Sequence, residues 1–135
     1  MTTQLEQKKL ILIVEDESSM SQILKDQFEE SGFAVLVATD GDDGLTKALE
    51  NHPNLILLDI LMPHTNGIVM LKNLRKDPWG EKVPVVVLTN LNDINTLSLT
   101  LKEKAYDYLV KADWDLDKIV QHVKDKLKAM EVPKP

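Results

Sequence analysis

Leu10-Ile11-Leu12-Ile13-Val14 runs directly into Glu15-Asp16-Glu17, and that junction decides the fold. Five apolar residues without alternation suit a strand buried on both faces, the pattern of a parallel sheet covered by helices. A helix should follow, because Met20, Ile23, Leu24 and Phe28 recur three or four apart on one face. Gly32 stands where a left-handed helix terminus needs no Cβ.

The unit then repeats. Phe33 to Ala38 reads as a second strand, and about Gly41 to Asn51 as a helix with Leu45, Ala48 and Leu49 inward. Leu55-Ile56-Leu57-Leu58 is a third buried strand. Met62-Pro63 and Asn66-Gly67 mark a loop after it, and Ile68, Leu71 and Leu74 give a helical stripe. Val83 to Leu88 is the fourth strand, followed by a helix to about Lys104, and Tyr106 to Val110 is the fifth. The last helix, roughly Leu116 to Met130, turns Ile119, Val120, Val123 and Leu127 to one side and carries lysines in its final turns, where they suit the helix dipole. Short right-handed crossovers between five such units imply an α/β fold, a doubly wound five-stranded parallel sheet with helices on both faces; strand order 2-1-3-4-5, a known order for such sheets, is the natural candidate.

The chain of 135 residues, 43% apolar, is the size of one domain. We expect that domain over residues 8–130, with a flexible N-terminus at 1–7, a flexible tail at 131–135 holding two prolines, and no further domain at either end. A net charge of −6 argues against a sequence-independent grip on nucleic acid, which needs clustered Lys and Arg. The absence of cysteine excludes disulfides, thiolate metal sites and a thiol nucleophile. Leu10 to Val14 is too short for a membrane span or a signal-peptide core, so a soluble cytoplasmic protein without membrane attachment is expected.

In open α/β sheets ligands bind beyond the carboxyl ends of the strands. Strand 1 ends in Glu15-Asp16, strand 3 in Asp59, strand 4 in Thr89-Asn90 and strand 5 in Lys111. If the strand order holds, three carboxylates, a hydroxyl and an ammonium converge on one rim. Singly, an Asp after a strand is usually a turn former or helix cap, and a Lys there is usually solvated. Together they are hard to obtain by accident. Clustered carboxylates repel one another unless a cation sits among them, and Mg²⁺ is held by one or two carboxylates together with a phosphate. Such a pocket with a nearby Lys and Thr suits phosphoryl transfer, in which a carboxylate can be the nucleophile.

The segments Ile13-Val14-Glu15-Asp16-Glu17, Leu57-Leu58-Asp59-Ile60-Leu61-Met62-Pro63 with Asn66-Gly67, Leu88-Thr89 and Tyr108-Leu109-Val110-Lys111 resemble a response-regulator receiver domain of two-component signalling, over about residues 8 to 130, and the resemblance implies a flavodoxin-like (βα)5 sandwich with strand order 2-1-3-4-5. The resemblance implies that Asp59 accepts a phosphoryl group from a histidine kinase or phosphotransfer protein. It implies Mg²⁺ ligation by Asp16, Asp59, the backbone carbonyl of Leu61 and, through water, Glu15. It implies that Lys111 pairs with the phosphoryl oxygens, that Thr89 moves toward them, and that Tyr108 reports the switch by its rotamer. Adding roughly −1.5 to −2 charge at Asp59 would create acceptors that Thr89 and Lys111 can satisfy. The resemblance places the responsive surface on the fourth helix, fifth strand and fifth helix. Leu97, Leu99 and Leu101 cannot all point inward from one helix, so at least one is expected to be an exposed partner contact. The implied role is that of a stand-alone switch acting on a protein target in trans, catalysing only its own phosphotransfer and slow autodephosphorylation.

Several residues depart from the family pattern. Ala112 follows Lys111 where Pro is usual, and a trans bond is expected there because a cis non-proline peptide costs about 2.5–4 kcal/mol. Asn90 replaces the usual small residue and narrows access to Asp59, and Lys104 stands where Gly often closes the fourth helix. Leu61 and Leu91 flank the route of a hydrolytic water and cannot hydrogen-bond it, so slow autodephosphorylation is expected. A haloacid-dehalogenase-like phosphatase would need a second Asp where Leu61 stands, and a flavodoxin-like FMN carrier a Ser/Thr/Gly-rich loop where Glu15-Asp16-Glu17 stands. The remaining alternative is a phosphorylation-independent protein-interaction module on the same fold, suggested by Asn90 and Ala112. His52, His64 and His122 lack metal-ligand spacing and read as surface or loop residues, and Trp79 and Trp114 sit in connections where packing and a lid are equally open.

Overall fold

The computed structural model describes residues 8–60, 67–89, 107–110 and 115–131. β1 (Leu10–Val14), β2 (Ala34–Ala38), β3 (Leu55–Asp59), β4 (Val85–Thr89) and β5 (Asp107–Val110) form one sheet in the order β2-β1-β3-β4-β5, with every pairing parallel. This is the expected doubly wound order. α1 (Ser18–Glu30), α2 (Gly41–Asn51), α3 (Gly67–Arg75) and the C-terminal helix (Leu116–Glu131) accompany it among the described residues. The expected helix ending near Lys104 lies outside them, as do Tyr106 and the leucines at 97, 99 and 101.

Strand alternation sorts the core into two layers. Leu12, Val14, Ile56, Leu58, Val85 and Val87 face α2 and α3 together with Met70, Leu71 and Leu74. Ile11, Ile13, Leu55, Leu57, Val86 and Leu88 face the other side, against Leu24 and Phe28 of α1 and Ile119, Val120, Val123 and Leu127 of the C-terminal helix. Burial on both faces is why β1, β3 and β4 read as unbroken apolar runs. Phe28 and Phe33 pack edge to face at 5.6 Å, closing α1 onto the entry to β2.

Four expectations need correction. Ile23 is exposed, because the buried stripe of α1 runs through Ser21, Leu24 and Phe28, and at 3.6 residues per turn Ile23 lies roughly 130° from its centre. Leu49 is also exposed, since α2 buries Gly41, Gly44 and Ala48, which leaves Leu49 roughly 110° off that stripe. Phe33 precedes β2 because its N–H closes α1 by donating to the Phe28 carbonyl at 3.0 Å. β4 starts at Val85, two residues later than expected, and includes Thr89. Pro84 has no N–H for the ladder, and the Val83 carbonyl is taken by Arg75 Nη1 at 2.6 Å.

The helix ends are set locally. The Asp40 carboxylate accepts from the Asp43 N–H at 2.7 Å and caps α2, whose C-cap, His52, adopts a left-handed φ of 47°. Gly32, at φ 98°, turns the chain after α1 as its position suggests. The C-terminal helix continues through Glu131, one residue beyond the expected Met130.

Candidate functional site

The register brings the strand ends to one rim. Val14 pairs with Leu58, so Glu15 stands level with Asp59, which in turn pairs with Leu88. Glu15 and Asp59 continue the alternation of Ile13 and Leu57, toward the α1 side, while Thr89 continues that of Val87. The Glu15 backbone is fixed by its N–H donating to the Ala38 carbonyl at 2.9 Å, so β2 anchors the acidic turn.

Glu15, Asp16 and Asp59 each present a carboxylate oxygen, all within 4.8 Å of one another. Glu15 is 3% exposed and Asp59 4%, whereas Asp16 is open to solvent. Burial, then the Asp59 charge and a hydrogen bond between the two side chains, push the Glu15 carboxyl up to about 8. The Glu17 N–H opposes this by donating to Glu15 Oε2 at 3.2 Å. A cluster of hard oxygen donors, two buried and one wet, with a carboxyl that resists ionising beside another, meets the chemistry of a divalent cation that keeps part of its water shell. The three acids therefore fit Mg²⁺.

Thr89 is fully buried at the end of β4, opposite Val110 of β5. Tyr108, two residues earlier on β5, is 43% exposed and pairs with Val87. The structure thus brings Glu15, Asp16 and Asp59 into one cluster and ends the next strand with Thr89. Leu61, Asn90, Leu91, Lys104, Lys111 and Ala112 lie outside the described residues, so the expectations attached to them, including the trans Lys111–Ala112 bond, lie there too.

Two features went unread in the sequence. One is the Glu17 backbone, which orients Glu15. The other is the packing role of Gly67, which in the sequence marks a loop and belongs to the motif after Asp59: it is buried at the start of α3, and a Cβ there would lie 3.1 Å from Ile60 Cα and 3.3 Å from the Asp59 carbonyl oxygen. The sequence offers only a weak sign of it, a glycine, a poor helix former, directly before the helical stripe of Ile68, Leu71 and Leu74. The described histidines join no metal cluster. His52 stacks on Trp79 at 4.3 Å and 9°, so Trp79 serves packing, and His122 Nε2 lies 3.6 Å from Asp107 Oδ2. His64 and Trp114 lie outside the described residues.

Residues 11–124 match the sequence profile of the response regulator receiver domain. The response regulator ArlR of Staphylococcus saprophyticus is 31% identical over 118 residues, covering 87% of this chain and 52% of that protein. A probable transcriptional regulator, ycf27, of Porphyridium aerugineum is 37% identical over 105 residues, covering 78% of this chain and 42% of that protein. The chain therefore spans about half or less of these curated relatives. Among solved structures, the receiver domain of the Francisella response regulator 1452 matches with a TM-score of 0.79 and 31% identity, over 92% of this chain and 100% of that one. The signal receiver domain of a signal transduction histidine kinase from Syntrophus aciditrophicus matches with a TM-score of 0.80 and 28% identity, over 93% and 95%. No described helix is long and apolar enough to cross a membrane.

Proposed function

We propose that this chain, which belongs to the response regulator receiver domain family, is a signalling switch whose phosphoacceptor is Asp59. Receiver domains of this family are phosphoryl-accepting signalling switches, and the geometry of the site supports the finer assignment. The observation that carries it is the buried Asp59 carboxylate at a strand end, within 4.8 Å of Glu15 and Asp16.

In the proposed reaction a carboxylate oxygen of Asp59 attacks the phosphorus of a phosphohistidine on a histidine kinase or phosphotransfer protein. The P–N bond breaks as the O–P bond forms, and the departing imidazole takes a proton from solvent. Asp16, Asp59, the Leu61 carbonyl and, through water, Glu15 would hold Mg²⁺. Bound there, the ion neutralises charge on the carboxylates and on the transferring oxygens. Glu15 and Asp16 set the charge of the pocket, and the Glu17 N–H and the Ala38 carbonyl keep Glu15 in place. Lys111 would pair with the phosphoryl oxygens.

The added charge then acts on Thr89. Its hydroxyl is buried beside the strand-end rim, so a reorientation toward new phosphoryl acceptors pulls on the end of β4 and on the β5 backbone paired with it at Val110. Half-exposed Tyr108 on β5 is the residue we assign to report that change to a protein target in trans. In this reading the domain, over residues 8–130, turns over no separate substrate, and it works in the cytoplasm. The test is chemical trapping. Borohydride reduces an aspartyl phosphate to homoserine, and peptide mapping should place that conversion at position 59. Conversion at another acid, or none after phosphorylation, contradicts the assignment.

A further inference from the structure

We propose that Gly67 is a positioning residue for the Asp59 pocket: lacking a side chain, it lets the start of α3 close on the Asp59–Ile60 peptide and so fixes Asp59 relative to Glu15 and Thr89. The proposal rests on the phosphoacceptor reading above.

Backbone conformation gives no reason for glycine here. Among the described glycines only Gly32 has a positive φ, and Gly67 is the first residue of a helix, where alanine is the better helix former. The reason is space. A Cβ at position 67 would meet Ile60 Cα at 3.1 Å, Ile60 Cγ2 at 3.1 Å and the Asp59 carbonyl oxygen at 3.3 Å, against about 3.5–4.0 Å between relaxed carbon atoms. Two of these three atoms are backbone, so no rotamer change relieves them.

The strain has a defined route into the site. The Ile60 N–H donates to the Leu88 carbonyl at 3.2 Å, next to Thr89. Pushing Ile60 away from residue 67 loads that bond, and with it the spacing between the β3 end that carries Asp59 and the β4 end that carries Thr89. Gly44 provides the contrast. A Cβ there would meet Val14 Cγ2 at 3.0 Å and Met70 Sδ and Cε at 3.1 and 3.2 Å, side-chain atoms only and none of the backbone that carries Asp59.

The experiment compares Gly67→Ala, Gly44→Ala and the parent by Mg²⁺ calorimetry and amide exchange at Ile60, with urea unfolding as the measure of global stability. Gly67→Ala should weaken Mg²⁺ binding about tenfold, the scale seen when support of a metal ligand is lost, and speed Ile60 exchange while Leu57 exchange stays parental. Gly44→Ala should change stability and leave both readouts near parental. If Gly67→Ala keeps parental Mg²⁺ affinity or parental Ile60 exchange, the proposal is overturned. If Gly67→Ala does not fold, the Ile60→Ala/Gly67→Ala double variant relieves the crowding against the Ile60 side chain and keeps the crowding against the backbone of residues 59 and 60. It should fold and still bind Mg²⁺ weakly; parental binding, or failure of both variants to fold, overturns the proposal. A parent that takes no phosphoryl group, or binds no Mg²⁺, defeats the phosphoacceptor reading instead, and Ile60 exchange alone then decides the role of Gly67.

Discussion

Glu15 and Asp59 face each other from neighbouring strand ends with both carboxyls nearly buried and hydrogen-bonded together, so the pocket holds more negative charge than it can ionise comfortably.

That pairing makes stability depend on pH when no divalent cation is present. The folded Glu15 carboxyl titrates near 8 and its unfolded value is near 4.5. Between these values the native state holds a proton that the unfolded state has lost, so metal-free stability should fall as pH rises from about 4.5 to about 8. At pH 8 Glu15→Gln should stabilise the metal-free protein by roughly 1–3 kcal/mol, because the amide stays neutral in both states whereas the carboxyl, fully ionised when unfolded, resists ionising when folded. Urea titrations across that range check the sign, and a parent whose stability rises over it contradicts the assignment of a raised Glu15 carboxyl.

Thr89→Ala separates phosphorylation from switching. The variant keeps Asp59, Glu15 and Asp16, so it should gain a phosphoryl group from acetyl phosphate. It should lose the phosphorylation-dependent change in amide exchange along β4 and β5 that the parent shows. An unchanged response in the variant would remove Thr89 from the switch.

Arg75 fastens the approach to β4 at the opposite end of the sheet. Its Nη1 donates to the carbonyls of Gly80 at 2.8 Å and Val83 at 2.6 Å, and the residue is 4% exposed. Burial lowers the guanidinium pKa. Arg75→Met strips two buried carbonyls of their donor and should cost roughly 2–4 kcal/mol in urea unfolding. Mg²⁺ affinity should stay parental in the folded variant, since the loss lies far from the acidic rim.

Leu57→Ala probes the core beneath the site. Leu57 is fully buried in the middle of β3, and truncation should cost about 2–5 kcal/mol by calorimetry or urea. Val69→Ala, at a residue 48% exposed, is the comparison and should stay within about 0.5 kcal/mol of the parent.

The architecture was legible because parallel strands buried on both faces leave unbroken apolar runs, as in Leu10–Val14 and Leu55–Leu58. The acidic cluster was legible because strand order alone brings Glu15-Asp16 beside Asp59. What the sequence hid were facts of three-dimensional packing. Helical spacing admits Ile23 and Leu49 to a stripe whose true centre is set by the sheet. The start of β4 depends on Arg75 reaching the Val83 carbonyl, and the need for glycine at 67 arises from a residue seven positions away. Each is an encounter between separate segments, which periodicity does not encode.

The measurement that bears most directly on Asp59 is intact mass after acetyl phosphate, with and without Mg²⁺, on the parent and on Asp59→Asn. A gain of one phosphoryl group is expected in the parent with Mg²⁺ and none in the other three samples. No gain in the parent, or an equal gain in Asp59→Asn, would contradict Asp59 as the phosphoacceptor.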